Sequence, residues 1–177
     1  MISSDDLKKI QTPLKEKYKT APDKAFVTLK AIGKIGEEIS CNVETGKRMV
    51  EAGLHPATGG SGALACSGDM LLEALVACAG VTLSAVATAI SFQLEGGVVC
   101  AEGDLDFRGT LGVSKDVNVG FKDIRLTFEL DTRETGERVD ALLKLTERYC
   151  VVFQTLKVGV PVNVTISTPD FKSSSSS

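Results

Sequence analysis

The sequence is poor in the residues that build most metal and cofactor sites. It has no tryptophan, one histidine and 5% aromatic residues among 177 positions. The single histidine, His55, and the lack of any CxxC pair exclude the usual spacings of zinc ligands. The five cysteines are odd in number and widely separated, which argues against a framework of structural disulfides. We therefore expect no metal and no bound cofactor.

The chain also has no large excess of positive or negative charge. The chain has 20 basic and 23 acidic residues, for a net charge of -3, without a long block of like charges. Nucleic acid is not an expected partner, because binding it requires a basic stripe that neutralises phosphates. Residues 3–6 are polar and precede lysines, so this stretch lacks the apolar core of a secretory signal. We expect a cytoplasmic protein.

The longest hydrophobic run covers residues 74–90. At about 17 residues it lies at the short end of the range that spans a membrane, and Gly80, Thr82 and Ser84 interrupt it. We therefore expect a buried central helix over residues 69–91, with no association with a membrane. Ser67 is its expected N-cap, since serine often accepts a bond from the first helical amides.

The alternation of apolar and polar residues elsewhere predicts an antiparallel sheet. Before the central helix, two alternating segments are divided at residues 33–36, which is typical of a hairpin with one wet face. One break in the later alternation, at Lys122 and Asp123, indicates a bulge. Strands are expected over residues 26–33, 37–43, 97–109, 118–131 and 159–167.

Two further helices and a loop complete the expected order of elements. Residues 5–18 have the sparse apolar positions of a surface helix, and residues 134–150 have an apolar face opposite a charged one. Residues 53–68 form a Gly-rich loop whose glycines allow a tight turn. This order indicates an α+β fold rather than βαβ units. The expected units are an N-terminal helix and linker (1–24), one folded domain (25–168) and a disordered Ser-rich tail (169–177).

Cys78 and Cys150 are the candidate reactive residues. A buried free cysteine is more often a small hydrophobe than a nucleophile, and Cys41, Cys66 and Cys100 keep that interpretation. Cys78 lies in the central helix and Cys150 at the end of the second helix, so the thiols can meet if these helices pack together. One sulfur would then attack and the other would resolve. Cys66 precedes the helix, so we expect it to stay apart from Cys78.

Three segments carry a resemblance to a known family, namely HPATGGSG, SGDMLLEALVACAG and ERYCVVFQTL. In order and spacing they are similar to the signatures of the OsmC/Ohr family, and the resemblance covers nearly the whole expected domain. It implies an OsmC-like intertwined homodimer, in which an antiparallel sheet wraps around two helices and active sites lie at the subunit interface. It also implies thiol-dependent reduction of organic hydroperoxides, with an external dithiol as the reductant.

The same resemblance implies roles for individual residues. A thiolate at Cys78 would attack the peroxide, and Cys150 would convert the resulting sulfenic acid into a disulfide. A free thiol with a pKa of about 8.5 is mostly protonated at neutral pH, so the site needs a nearby cation. Family members supply an arginine from the first hairpin and a glutamate before the central helix. Here Lys34 stands near the expected arginine, and Asp69 and Glu73 stand near the expected glutamate.

Two weaker signals lie in the Gly-rich loop. His55 is expected to cap the loop or face water rather than act as a base for Cys78. Residues 60–65 match a loose dinucleotide-binding fingerprint. No apolar strand precedes them, and no acidic residue follows at the spacing that such sites use, so we set the fingerprint aside.

Two other function classes remain open. A hotdog thioesterase also wraps an antiparallel sheet around one long apolar helix, and it would not need paired cysteines. A non-enzymatic dimer of the same fold would bind a small hydrophobic ligand between its subunits. Faster reaction of Cys78 than of the other thiols would favour a peroxidase over a thioesterase, and repeated turnover would favour it over a binder. A pocket lined by aliphatic side chains would favour an apolar hydroperoxide over hydrogen peroxide.

Overall fold

The computed structural model describes residues 3–20, 32–35, 40–45 and 48–166. Predictions for residues 26–31 and for the Ser-rich tail lie outside these ranges. The helices are α1 (Ser4–Thr20), α2 (Ser67–Ala89), α3 (Phe107–Thr110), α4 (Glu137–Tyr149) and α5 (Val151–Val158), with a short 3-10 turn at Pro56–Thr58. The strands are β1 (Ile32–Ile35), β2 (Ser40–Thr45), β3 (Arg48–Gly53), β4 (Ala65–Cys66), β5 (Gly96–Leu105) and β6 (Phe121–Asp131).

Across the described residues the strands form two sheets, which corrects the expectation of one antiparallel sheet. In the first, β1, β2 and β3 pair antiparallel, and β4 joins β3 in parallel through Ala65 opposite Ala52. A hairpin of β1 and β2 is present, but the turn predicted at residues 33–36 is wrong where the structure describes it, because Lys34 lies within β1, opposite Asn42. Sequence analysis does not identify β3, because its segment RMVEAG has few β-branched residues.

Strands β5 and β6 form the second sheet, a long antiparallel ribbon. Its pairing runs from Gly96 opposite Asp131 to Leu105 opposite Phe121. The register shifts near this second end, where no residue of β5 lies opposite Lys122. The predicted bulge is therefore confirmed. β6 begins later than predicted, and β5 ends earlier because α3 follows it. Burial alternates along β6, which is typical of a ribbon with one wet face.

Helix α2 carries the core. It packs on α4, α5 and β5, and its inner face is buried at Leu75, Ala79 and Leu83. Full burial of one leucine side chain stabilises a fold by about 1.5–3 kcal/mol, so this face holds the helices together. Length and composition alone would let α2 cross a membrane, and 28% of its most apolar window is buried within the chain. The cluster of buried residues around it is Leu83, Val86, Ala87, Phe92 and Leu142.

The start of α2 differs from the prediction. Ser67 is already helical, and the N-cap is Cys66, which is extended and makes no side-chain capping bond. The prediction of Ser67 as N-cap is therefore wrong, because β4 runs directly into the helix. In the preceding loop, a Cβ added to Gly60 would lie 1.7 Å from the carbonyl oxygen of Leu54. This close approach confirms the predicted tight turn.

The second predicted helix ends at Tyr149, and the chain restarts as α5. Cys150 between them has φ -73° and ψ 109°, an extended conformation that interrupts the helical backbone. No glycine or proline marks this break. For that reason the helical spacing extends the prediction through Cys150 and does not reveal α5.

The strand predicted over residues 159–167 is wrong where the structure describes it. Residues 159–166 are neither strand nor helix. Their alternating apolar side chains stay exposed, and Val164 retains 92% of its accessible surface. The alternation in VPVNVTI is that of a strand, but no strand within the described ranges pairs with it. Alternation of apolar and polar residues indicates which side chains share a face of a strand. It does not indicate whether a second strand is present to pair with it.

Candidate active site

The packing of α2 against α4 and α5 brings Cys78 and Cys150 together. Cys78 lies in the middle of α2 and is half-buried, whereas Cys150 joins α4 to α5 with 1% of its surface exposed. The Cys150 thiol lies close enough to the Cys78 sulfur to lower the pKa of Cys78 as a hydrogen-bond donor. The two thiols thus meet across the helix interface, as the sequence analysis expects for packed helices.

The start of α5 supplies further hydrogen-bond donors to both sulfurs. The first backbone N–H groups of a helix have no partner within that helix. Those of Val151 and Val152 lower the pKa of Cys78 as hydrogen-bond donors, and those of Val152 and Phe153 act in the same way on the pKa of Cys150. This end of a helix also carries a partial positive charge. The thiol pair therefore faces a group of amides that favours negative charge on sulfur.

These donors decide the ionisation of Cys78. Burial raises the pKa of the Cys78 thiol, but hydrogen bonds outweigh burial, and the net pKa is lowered from its ordinary value. In decreasing order the bonds come from the Val152 amide, the Cys150 thiol, the Val151 amide and the Thr82 hydroxyl. None of these donors is charged. Bonds to the ionised form stabilise it, so they have the effect that a nearby cation has at other thiol sites.

Cys150 responds in the opposite direction. Burial raises the pKa of its thiol, and the Cys78 sulfur raises it further by accepting the Cys150 proton and by charge repulsion. The amides of Phe153 and Val152 lower this pKa but do not cancel the other effects. Interacting thiols titrate as a pair, and the first proton lost comes mainly from Cys78. The pair is therefore asymmetric, with Cys78 suited to attack and Cys150 retaining its proton.

The charged residues selected from the sequence lie elsewhere in one chain. Asp69 and Glu73 are both exposed on α2. At about 100° per residue, Asp69 lies about 180° and Glu73 about 140° around the helix from Cys78. Lys34 belongs to β1, but its side chain falls outside the described part of the structure. A single chain thus brings neither carboxylate to the thiol pair.

Sequence reasoning missed the groups that do contact Cys78. It sought charged side chains, whereas the contacts come from the α5 amides and from Thr82. Thr82 was identified only as a polar interruption of the apolar run. One available signal for α5 is the helical spacing of Val152 and Leu156 after the predicted helix end.

The remaining candidates lie apart from this pair. Cys66 is the N-cap of α2, about 18 Å along the helix from Cys78 at about 1.5 Å per residue, so it stays separate as expected. Cys100 is exposed on β5. Nδ1 of His55 accepts the Ala57 N–H at 3.0 Å, which confirms the capping prediction. Over the described ranges no group of His, Cys, Asp and Glu side chains could hold a metal ion.

An apolar groove is lined in part by residues one helical turn away from each cysteine. It has a volume of about 350 Å³ and lies between α5 and β6. Leu75, one turn before Cys78, and Phe153, one turn after Cys150, both line it. The Lys157 ammonium lies 5.3 Å from the centre of the Phe153 ring, so one lysine is held at the groove wall. The other lining residues are Phe121, Lys122, Asp123, Ile124, Leu126 and Leu156.

Solved structures share this fold. An OsmC-like protein from Mycoplasma pneumoniae is 15% identical, with a TM-score of 0.63, over 74% of this chain and 88% of that chain. An organic hydroperoxide resistance protein from Elizabethkingia anophelis is also 15% identical, with a TM-score of 0.62, over 76% and 91%. A third, an organic hydroperoxide resistance protein from Legionella pneumophila, is 17% identical, with a TM-score of 0.59, over 75% and 90%. No curated protein matches the sequence.

The family assignment rests on the sequence match. The family model for OsmC-like proteins covers residues 60–165, which is more than half of the chain. The matched range includes both Cys78 and Cys150 as well as the helices that carry them. The low identities of the solved structures limit them to evidence for a shared fold, and that fold agrees with the family model. This chain is therefore a member of the OsmC-like family.

Proposed function

We propose that this protein is a thiol-dependent peroxidase that reduces organic hydroperoxides, with Cys78 as the nucleophile and Cys150 as the resolving thiol. The observation that carries the proposal is the asymmetry of the pair. The pKa of Cys78 is lowered while that of Cys150 is raised, although the sulfurs are in contact. The names of the Elizabethkingia and Legionella relatives, which refer to organic hydroperoxide resistance, support the same activity.

The reaction balances with groups that the proposal names. The Cys78 thiolate attacks the distal oxygen of R–O–O–H, the O–O bond breaks, and the alkoxide takes a proton to leave as an alcohol. Cys78 becomes a sulfenic acid. The Cys150 sulfur then attacks this sulfur, hydroxide leaves with the Cys150 proton as water, and a disulfide forms. An external dithiol reduces that disulfide by two successive exchanges.

The start of α5 serves two steps of this sequence. Its amides stabilise the Cys78 thiolate before attack. They also contact the Cys150 sulfur, which must lose its proton as the disulfide forms. Lys34, Asp69 and Glu73 stay in the proposal as helpers that act across a subunit interface, because Asp69 and Glu73 point away from the pair within one chain.

A homodimer would cover the apolar surfaces that one chain leaves open. Val81 on the outer side of α2 retains 73% of its accessible surface. The alternating apolar segment 160–166 is exposed as well, and strand pairing with a second copy would bury it. We place the dimer in the cytoplasm, where reducing conditions keep its cysteines free and supply dithiols.

The test is consumption of an alkyl hydroperoxide with a dithiol reductant. We expect Cys78→Ser to abolish turnover, and Cys150→Ser to stop repeated turnover while leaving one reduction per Cys78. Cys100→Ser is the matched control, because Cys100 is a free thiol exposed on β5 and is not part of the pair. Equal rates in the unaltered protein and Cys78→Ser would reject the proposal.

The groove beside the pair supports a second candidate, a dimer that binds a small hydrophobic ligand without turnover. Its walls are mainly apolar and include Leu75 and Phe153, each one helical turn from one of the two cysteines. A binder would keep its ligand affinity in Cys78→Ser and would consume at most one equivalent of peroxide. The hotdog thioesterase is set aside, because the chain belongs to the OsmC-like family.

A further inference from the structure

The break between α4 and α5 at Cys150 contains a hydrogen bond that replaces one of the helical bonds it interrupts. In a continuous helix the Val151 N–H would donate to the Glu147 carbonyl, four residues earlier. The extended backbone of Cys150 interrupts this ladder, and the Glu147 carbonyl instead accepts a hydrogen bond from Nε2 of Gln154 at 2.7 Å. The Gln154 side chain therefore takes the place that the Val151 amide leaves.

Gln154 is bonded to both sides of this break. Its backbone N–H donates to the carbonyl of Cys150 at 2.9 Å, which is the first helical bond of α5. Its side chain reaches back to the last turn of α4. The last carbonyls of a helix have no partner within that helix, so the side-chain bond satisfies one that the break would otherwise leave to water. One residue thus ties the end of α4 to the start of α5 across Cys150.

The break also determines which backbone donors are free to act on the thiols. The Val151 amide lowers the pKa of Cys78 as a hydrogen-bond donor. In a continuous helix this amide would donate to the Glu147 carbonyl instead. The bond from Gln154 competes with that arrangement, because it occupies the carbonyl to which Val151 would donate.

We propose that Gln154 is a positioning residue that keeps Cys150 extended and so directs the first amides of α5 towards the thiol pair. The inference rests on the proposed function, since it concerns the placement of the resolving thiol and of the donors to the attacking one. No glycine or proline opposes a continuous helix at this point, so that helix is the competing conformation. Without the Gln154 side chain, the Glu147 carbonyl is available to the Val151 N–H, and Cys150 shifts towards the helical conformation.

The charged pair at this break lies on its outer surface. The Lys157 ammonium is 3.9 Å from the Glu147 carboxylate, and both side chains are more than half exposed. The titratable group beside Cys78 is Cys150, whereas the carboxylates on α2 project from other sides of that helix and those on β5 are exposed on the ribbon. Because glutamine is neutral, a change in the ionisation of Cys78 on altering Gln154 reports the placement of donors rather than the loss of a charge.

The test compares Gln154→Met, which keeps the length of the side chain without a donor, with Glu147→Gln, which removes the ion pair but keeps the backbone carbonyl. The measurement is the rate of Cys78 alkylation against pH, read from the mass of the Cys78 peptide, so it requires no peroxidase turnover. We expect Gln154→Met to slow alkylation at neutral pH by about fivefold, the typical effect of one hydrogen bond, and to move the profile to higher pH. Glu147→Gln should stay within about twofold of the unaltered protein, because exposed ion pairs contribute little.

A second background separates the break from any other effect of Gln154. Proline at position 151 has no N–H to donate to Glu147, and it favours an extended residue before it. The Val151→Pro background therefore maintains the break without Gln154. Adding Gln154→Met to it should slow alkylation by less than about twofold more, because the two changes act on the same conformation.

Equal alkylation profiles for Gln154→Met and Glu147→Gln would overturn the inference. The same slowing by Gln154→Met in the unaltered and the Val151→Pro backgrounds would also overturn it. Gln154→Ala serves in place of Gln154→Met if the latter does not fold. If the alkylation rates differ as expected but the unaltered protein does not turn over peroxide, the proposed function fails while the role of Gln154 stands.

Discussion

The surroundings of Cys78 and the outer face of the β5–β6 ribbon use different kinds of polar contact. Cys78 receives bonds from amides, a thiol and a hydroxyl, none of them charged. On the ribbon, the Arg125 guanidinium binds Asp104 at 2.9 Å and Asp123 at 2.9 Å. These side chains are all well exposed to solvent. Water screens the charge pairs, whereas the uncharged donors act at a sheltered helix interface.

This difference indicates which groups activate the Cys78 thiol. Shifts of pKa also occur on the ribbon, since the Arg125 guanidinium lowers the pKa of the Asp104 carboxyl. Those shifts report surface ion pairs without an adjoining nucleophile. At Cys78 the shift coincides with a second thiol and an apolar groove, and that combination marks a candidate active site.

A large effect on the ionisation of Cys78 is expected from Val151→Pro. Proline removes the amide that faces Cys78, yet it suits the first position of a helix, and the extended Cys150 before it tolerates a following proline. We expect Cys78 alkylation at neutral pH to slow by about tenfold. Val151→Ala, which keeps the amide, is the control. Indistinguishable alkylation rates for the two variants would show that the amide does not activate Cys78.

A comparable effect is expected from removing the Cys150 donor. The Cys150 thiol lowers the pKa of Cys78, so Cys150→Ala should raise the pH at which Cys78 ionises. Because the thiolate forms above the pKa, the variant should carry less thiolate at neutral pH. Cys150→Ser keeps a donor and should raise that pH less. Thiolate absorbance against pH measures both changes, and a fall in the Cys78 midpoint in Cys150→Ala would contradict the contact.

The smallest effect is expected from Arg125→Ala. This change removes the ion pairs to Asp104 and Asp123, but they lie on the wet face of the ribbon. We expect no measurable change in the alkylation rate of Cys78. A slowing as large as that of Val151→Pro would mean that charges on the ribbon reach the thiol, and the contrast between the two regions would be lost.

The parts of the fold that could be predicted are those that depend on local pattern. The apolar run of α2, the alternation of β6 and the bulge at Lys122 are all visible in residue order, and the structure confirms them. The segment 159–166 shows where this reasoning fails. Its alternation is clear, but a strand requires a partner, which a local pattern does not specify.

The candidate site, like the fold, could be predicted only in part from the sequence. Cys78 and Cys150 could be selected because the segments around them resemble the signatures of the OsmC/Ohr family, and the structure brings them together. Their activating donors could not, because backbone amides have no residue-type signature and the break at Cys150 has no glycine or proline. Asp69 was selected for its charge and its closeness in sequence, but helical rotation places it on the opposite side of α2.

The most direct test of the account uses the reduced protein, one equivalent of an organic hydroperoxide and no added dithiol. Peptide mapping and analysis of the product are made on the same sample. The account predicts one alcohol per chain and a disulfide that joins Cys78 to Cys150. Unreacted hydroperoxide, or oxidation that settles on Cys66 or Cys100 instead, would contradict it.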